Sequence, residues 1–262
     1  MDVETYKAQT ARLQIDDLDF DAFRTQPLAP GALRCVRYMH DVEHHTICYL
    51  RDLLVTSAHR DPTITSFLTF WNFEEFWHGE ALAAVLAAHG ESNSTPRIRG
   101  MRESLTWKDR VAPMWHGLAS AVVGESWIAV HMTWGAINEW CTQAGYSRLS
   151  AKAGHPVLRE LLRRIMRQEG RHIDFYASEA HQRLATDGRA QRITRLALTR
   201  FWKPVGATVM PRAEVEHVIG YLFGDTEGHD VARRIDRRID NLPGLGGLGL
   251  AAQARREYAA AA

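Results

Sequence analysis

A glutamate and a histidine three residues apart on a helix sit one turn from each other on one face, where carboxylate and imidazole can reach the same metal ion. The 262-residue chain holds three such pairs, Glu75/His78, Glu169/His172 and Glu214/His217. With 16 Glu and 13 His present, about 0.8 pairs are expected by chance, so the spacing alone selects nothing. Position in the hydrophobic pattern separates them. Glu214/His217 follows Pro211 in what reads as a first helical turn, where the helix dipole favours an acid without any metal. The other pairs interrupt apolar stripes, Phe67, Trp71, Glu75, His78, Leu82, Leu86 and Leu158, Leu162, Ile165, Glu169, His172, Tyr176. Two more stripes are each interrupted by a lone glutamate. One runs Val36, Met39, Glu43, Ile47, Leu50 and the other Ile128, Met132, Gly135, Glu139, Thr142, Tyr146, Leu149. A buried, unpaired carboxylate is costly, and a cation is one of few partners that offset it. Four carboxylates with two imidazoles form the oxygen-rich donor set of a dinuclear iron or manganese carboxylate site.

Such a set needs four helices meeting at one level. Apolar residues recur at three- and four-residue spacing through most of Arg34–Ala185, and runs of period two are scarce, so the chain reads as all-α. Breakers at Pro30-Gly31, Asp61-Pro62, Gly90 to Gly100, Pro113, Gly154-His155-Pro156 and Asp187-Gly188 leave four long helices, roughly 32–58, 63–89, 113–150 and 156–186. In an antiparallel pair, residues at one level lie equally far from the turn. Glu139 mirrors Glu169 about a centre near 154, and Glu43 lies about as far before a turn near 60 as Glu75 and His78 lie after it. Glu125 shares the third helix's face but lies about 21 Å from Glu139 at 1.5 Å per residue, too far to bind the same metal. The expected architecture is a ferritin-like four-helix bundle with additional C-terminal helices. Residues 1–30 form an N-terminal extension, 31–188 the di-metal bundle, and 189–262 a helical appendage with short helices near 190–202, 211–223 and 227–241. Gly244-Leu-Gly-Gly-Leu-Gly249 fits a nucleotide-binding string, but no strand precedes it and it reads as a turned connector.

Composition narrows the function. The chain is 45% hydrophobic with a net charge of +1, which gives no bulk attraction to nucleic acid or an anionic membrane. No signal peptide is read at the N-terminus, and no apolar run approaches the ~20 residues of a membrane span. Cys35, Cys48 and Cys141 include no CxxC pair, so a disulfide framework or thiolate zinc site is not expected and a reducing cytoplasm fits best. His40, His44, His45 and His131 have no partner at the right level and are expected outside the site. Basic strips at Arg159, Arg163, Arg164, Arg167 and at Arg233, Arg234, Arg237, Arg238 read first as solvated faces, though either suits an acidic carrier protein. The tract Ala259–Ala262 is of low complexity.

Two strings go further. Glu74-Glu75-Phe76-Trp77-His78-Gly79-Glu80-Ala81-Leu82 and Glu169-Gly170-Arg171-His172 resemble the second- and fourth-helix motifs of the soluble acyl-acyl carrier protein desaturases and their actinobacterial relatives. The resemblance covers the four long helices. It implies an O2-dependent di-iron oxidoreductase that oxidises an unactivated C–H bond, with Glu43, Glu75, His78, Glu139, Glu169 and His172 holding two Fe ions, Mn being possible. It further implies an acyl carrier protein or small-molecule substrate, a ferredoxin-type electron donor and a homodimer. Thr142, three residues after Glu139, matches a family threonine and is the candidate catalytic hydroxyl. Gln168 departs from the acid that commonly precedes the fourth-helix glutamate and orients the second-helix histidine. Alternatives are a di-iron hydroxylase or N-oxygenase of a small metabolite, and a ferritin- or rubrerythrin-like storage or peroxide-scavenging protein. Residues 189–262 and the lack of a rubredoxin-like Cys pair weigh against the last. A narrow apolar channel is expected beside the metals, lined by Phe67, Trp71, Met132, Gly135 and Tyr146, with Gly135 leaving room for a chain.

Overall fold

The computed structural model describes residues 2–105 and 107–259, and the side chains of residues 108–110 and 112 fall outside the description. In chain order the helices are α1 (Val3–Gln9), α2 (Ala22–Thr25), α3 (Pro30–Glu43), α4 (Thr46–Leu54), a 3-10 turn (Ser57–Arg60), α5 (Pro62–Ala88), α6 (Thr95–Glu103) and α7 (Trp107–Val123). They continue with α8 (Ser126–Ala153), α9 (Pro156–Thr186), α10 (Gly188–Phe201), α11 (Arg212–Phe223), α12 (Thr226–Asp240) and α13 (Leu250–Ala259). No strand occurs among the described residues, and no helix is long and apolar enough to cross a membrane. The alanine tract lies outside the described residues from position 260 onward.

Local chemistry sets the ends of the long helices. The Asp61 carboxylate accepts from the Thr63 and Ile64 amides, satisfying two donors left open at the start of α5, and Pro62 presets the first turn. Gly154 takes φ +65°, which ends α8, and the next residue, His155, caps α9 through its ring. Two breaks differ from the sequence reading. The first helix does not run through 32–58: it stops at Glu43 and resumes at Thr46, whose hydroxyl donates to the Glu43 carbonyl at 2.6 Å. The third does not start at 113. Pro113 is carried inside α7. The break falls instead at Gly124, whose φ of +70° turns the chain between α7 and α8. The Gly90–Gly100 segment, expected as a connector, contains most of α6.

Helix α3 with its continuation α4, and helices α5, α8 and α9, form the four-helix bundle. Its core has two apolar layers. One contains Phe67, Met132, Ile137, Phe175 and Tyr176, the other Val36, Leu82, Tyr146, Leu149, Leu162 and Ile165. Each such side chain contributes about 1.5–3 kcal/mol when fully buried. The C-terminal helices thicken both layers: Leu198, Ile235, Ile239 and Ala254 join the first, Val215 and Leu222 the second. Asp236 accepts from the Ala251 and Ala252 amides at the start of α13, and Gly244, Gly247 and Gly249 adopt positive φ in the turned connector before it.

Candidate metal centre

Between the two apolar layers the bundle buries Glu43 from α3, Glu75 and His78 from α5, Glu139 from α8, and Glu169 and His172 from α9. One donor atom from each of Glu43, Glu75, His78 and Glu169 lies within 4.8 Å of the others, and the same holds for Glu75, Glu139, Glu169 and His172. Glu75 and Glu169 belong to both groups. The geometry is that of two neighbouring positions sharing two carboxylates, each completed by one imidazole and one lone glutamate.

Both imidazoles turn Nδ1 to the centre. His172 Nδ1 lies 3.1 Å from Glu75 and 3.2 Å from Glu169, and His78 Nδ1 lies 3.3 Å from Glu169 Oε1. His78 Nδ1 and Glu169 Oε1 are buried without a hydrogen-bond partner among the described residues. Paired, inward-facing orphans of this kind are what a site built for a cation leaves when only protein groups are considered. On the far side, His78 Nε2 meets Gln168 Oε1 at 2.9 Å and His172 Nε2 meets Glu74 Oε2 at 2.9 Å. The Gln168 amide nitrogen donates to the Ala11 carbonyl at 2.9 Å, so its oxygen must face His78. With a metal bound, His78 would keep its proton on Nε2 and turn the Nδ1 lone pair to the ion.

The outer partners are set by residues far apart in sequence. Glu74 accepts from the Tyr6 hydroxyl at 2.9 Å and from Arg171 at 2.5 Å, which compensates its complete burial. The Trp71 indole donates to Glu139 at 2.9 Å, and the Tyr146 hydroxyl donates to Glu43. Residue patterns did not reveal Tyr6, Ala11, Trp71 or Tyr146 as partners of the acids. Tyr6 and Glu74 are 68 positions apart, and no local periodicity reports such a pair; only the doublet Glu74-Glu75 with Arg171 hinted that Glu74 is held.

Electrostatics follow from burial and crowding. Burial, then repulsion from Glu75 and Glu169, raises Glu43 well above the usual carboxylate range, and burial, then Glu169 and Glu75, does the same to Glu139. Burial also opposes ionisation of Glu75, but the adjoining Glu43, His172 and His78 overcome it and hold Glu75 well down. Glu169 is held at about 2: burial and Glu75 oppose its charge, and His172 and His78 prevail. His78 is raised to about 10 because the Glu169 and Glu75 carboxylates facing it outweigh its burial. Without metal, the cluster keeps protons where two divalent ions would place positive charge.

The remaining sequence candidates fall elsewhere. Thr142 lies one turn beyond Glu139, half-buried, and makes no hydrogen bond to the six residues. Glu125 is exposed at the break before α8. Glu214 pairs with Arg34 at 2.8 Å and His217 meets the Gly31 carbonyl at 3.1 Å, an inter-helix fastening of α11 to α3. His40 is bound to Asp41, which Arg97 clamps, and none of His44, His45 or His131 joins the six. Arg163 and Arg164 are paired with Glu160 and Asp17. The expected channel past Gly135 is closed. A Cβ on Gly135 would lie 2.3 Å from the Tyr176 ring, so the space belongs to an aromatic packed against Phe67 and Trp71. A cavity of about 940 Å³ lies instead on the opposite face of α5, with Glu43 among the residues that line it.

Neither a family model nor a curated protein sequence matches the chain. Among solved structures it is similar to DesA2 from Mycobacterium tuberculosis H37Rv, a protein described as a proposed acyl-ACP desaturase. The two share 20% identity over 97% of this chain and 94% of that one, with a TM-score of 0.53. The likeness shows the fold: this is an all-α, ferritin-like helical protein.

Proposed function

We propose that the chain is an O2-dependent di-iron oxidoreductase of the acyl-acyl carrier protein desaturase type, with manganese as the alternative metal. One observation carries it: four carboxylates and two imidazoles from four helices converge in a buried cluster whose His78 Nδ1 and Glu169 Oε1 face inward unpartnered. Glu43, Glu75, His78, Glu139, Glu169 and His172 would hold the two ions, Glu75 and Glu169 lying between the positions. Their summed negative charge matches two divalent cations with neutral histidines. Iron, when bound, supplies the reduction of O2 that oxidation of an unactivated C–H bond requires. The protein's part is to fix the donors and exclude water. Gln168 and Glu74 orient the imidazoles, Trp71 and Tyr146 hold Glu139 and Glu43, and the apolar layers above and below keep the centre dry. Thr142 is the proposed hydroxyl for moving a proton at its Oγ1.

The motif resemblance supports an acyl chain on a carrier protein as substrate, a ferredoxin-type donor and a homodimeric working unit in the cytoplasm, with residues 31–188 as the metal-holding bundle. The test is reconstitution with ferrous iron and incubation with a C16 acyl carrier protein, reduced ferredoxin and O2. Two irons per chain and an acyl product two mass units lighter are expected. Iron stoichiometry near zero, or O2 consumption coupled only to ferric core formation, would place the chain in another class.

A further inference from the structure

We infer that residues 6–17 form a strap that holds the Gln168 amide with its oxygen toward His78, and that metal capture at the Glu43/His78 position depends on this strap being docked. This rests on the di-metal reading proposed above and adds the residues that make one of its two positions conditional. The segment touches the outer partners of both imidazoles. The Tyr6 hydroxyl donates to Glu74 at 2.9 Å, the Ala11 amide donates to Glu74 at 3.4 Å, and the Ala11 carbonyl accepts from the Gln168 amide nitrogen at 2.9 Å. Residues 10–15 carry no regular secondary structure, so side chains rather than a backbone ladder keep them in place. Leu13 is buried, Arg12 lies over the Trp77 ring at 4.4 Å, and Arg164 donates to the Gln14 carbonyl at 2.8 Å and to Asp17.

The two outer partners differ in what they can do. Glu74 is a carboxylate, which when ionised only accepts, so turning it over changes nothing at His172. Gln168 carries an acceptor at one end of its amide and a donor at the other, and the two ends are nearly equal in shape. Turned over, it would set its NH2 against His78 Nε2. A neutral imidazole would then have to accept there and carry its proton on Nδ1, the nitrogen that faces Glu169 and Glu75. In that form Nδ1 has no lone pair for a metal. Two acceptors oppose the turn, the Ala11 carbonyl at 2.9 Å and Glu74 Oε1 at 3.3 Å. The nearer belongs to the strap, whereas the Glu74 oxygen is shared with Arg171 and the Ala11 amide. An ionised acid at position 168 could donate to neither acceptor and would face the Glu74 carboxylate, so the glutamine and the strap belong together. The strap thus positions His78 through a neutral amide.

The test titrates cobalt into the full chain and follows its visible absorption. Deleting residues 2–12 also removes the Tyr6 donor and should weaken both bound ions. Inserting two glycines between Thr10 and Ala11 is the milder variant, which displaces the Ala11 carbonyl and leaves Tyr6 against Phe67 and Phe175. The insertion is expected to weaken one of two cobalt ions about tenfold or more and to spare the other, with unchanged helical content. In a Gln168→Ala background the same insertion should cost nothing further, because the amide through which the strap acts is gone. Reciprocally, cobalt should slow hydrogen exchange of the backbone amides of residues 10–17 in the intact chain and leave it unchanged in Gln168→Ala. Costs of the insertion and of Gln168→Ala that simply add would reduce the strap to a general brace and overturn the inference. So would two cobalt ions bound as tightly after the insertion as before it, a result that leaves the di-metal reading standing. An intact chain that takes up no cobalt overturns that reading and this inference with it.

Discussion

The donor set is asymmetric in one residue. Both histidines are backed at Nε2, but His172 by the Glu74 carboxylate and His78 by the neutral Gln168 amide. An outer partner that orients a ligating imidazole is worth about 10–100-fold in metal affinity. Gln168→Ala should therefore weaken one of two bound metals by that factor and spare the other, seen as a split into two phases when cobalt is titrated and its visible absorption followed. A single undivided phase as tight as wild type would show that the amide does not hold the ring. The same scale separates the two acids of the third bundle helix. Glu139→Ala should lower bound iron, whereas the exposed Glu125→Ala should leave it unchanged; the reverse result, by metal analysis, would mean the wrong acid has been assigned to the centre.

At the scale of elements, α8 and α9 meet closely because Gly135 lets the Tyr176 ring lie where a side chain would be. That ring is wedged against Phe67 and Trp71 and has nowhere to retreat. Gly135→Ala overpacks the contact, and a loss of about 1–3 kcal/mol is expected from the urea midpoint. Had the glycine lined an open channel, the same change would be neutral or would stabilise the helix, so the sign of the effect discriminates. The helix broken at His44-His45 makes the opposite use of space: Asn72 donates to the Thr46 hydroxyl at 3.2 Å, bracing the resumed helix beside Glu43.

Across the whole molecule, stability should fall with acid before the carboxylates titrate. Burial, aided by His116, pushes His131 down to about 3, and its Nε2 has no partner among the described residues. Burial likewise pushes His44 down to about 4. Such a group stays neutral when folded and takes up a proton once unfolded. Its stability contribution is therefore complete above the ordinary histidine value near 6.5 and drains away as pH falls toward the folded value, by up to about 1.4 kcal/mol per pH unit. His131→Phe should flatten the decline between about pH 6.5 and 5 in denaturant titrations at fixed metal content. A decline of unchanged slope would mean that His131 is protonated in the folded chain.

Helical periodicity and the interruption of four apolar stripes by Glu43, Glu75, Glu139 and Glu169 sufficed for the all-α bundle and for the level at which its acids meet. Equal distance from the turn is a property of sequence once antiparallel hairpins are assumed, and Pro, Gly and Asp mark the turns through strictly local backbone chemistry. What needed the tertiary structure was everything decided by contacts between distant segments. Tyr6 and Ala11 reach Glu74 and Gln168 across more than sixty positions, and neither sits in a pattern that could announce it. The break after Glu43 has no proline or glycine to mark it, and Pro113, which does mark a break, makes none. Gly135 was legible as a small residue beside the site, but whether the space it leaves is empty or filled depends on where the Tyr176 ring lies, and that is fixed by packing on a neighbouring helix rather than by any spacing along the chain.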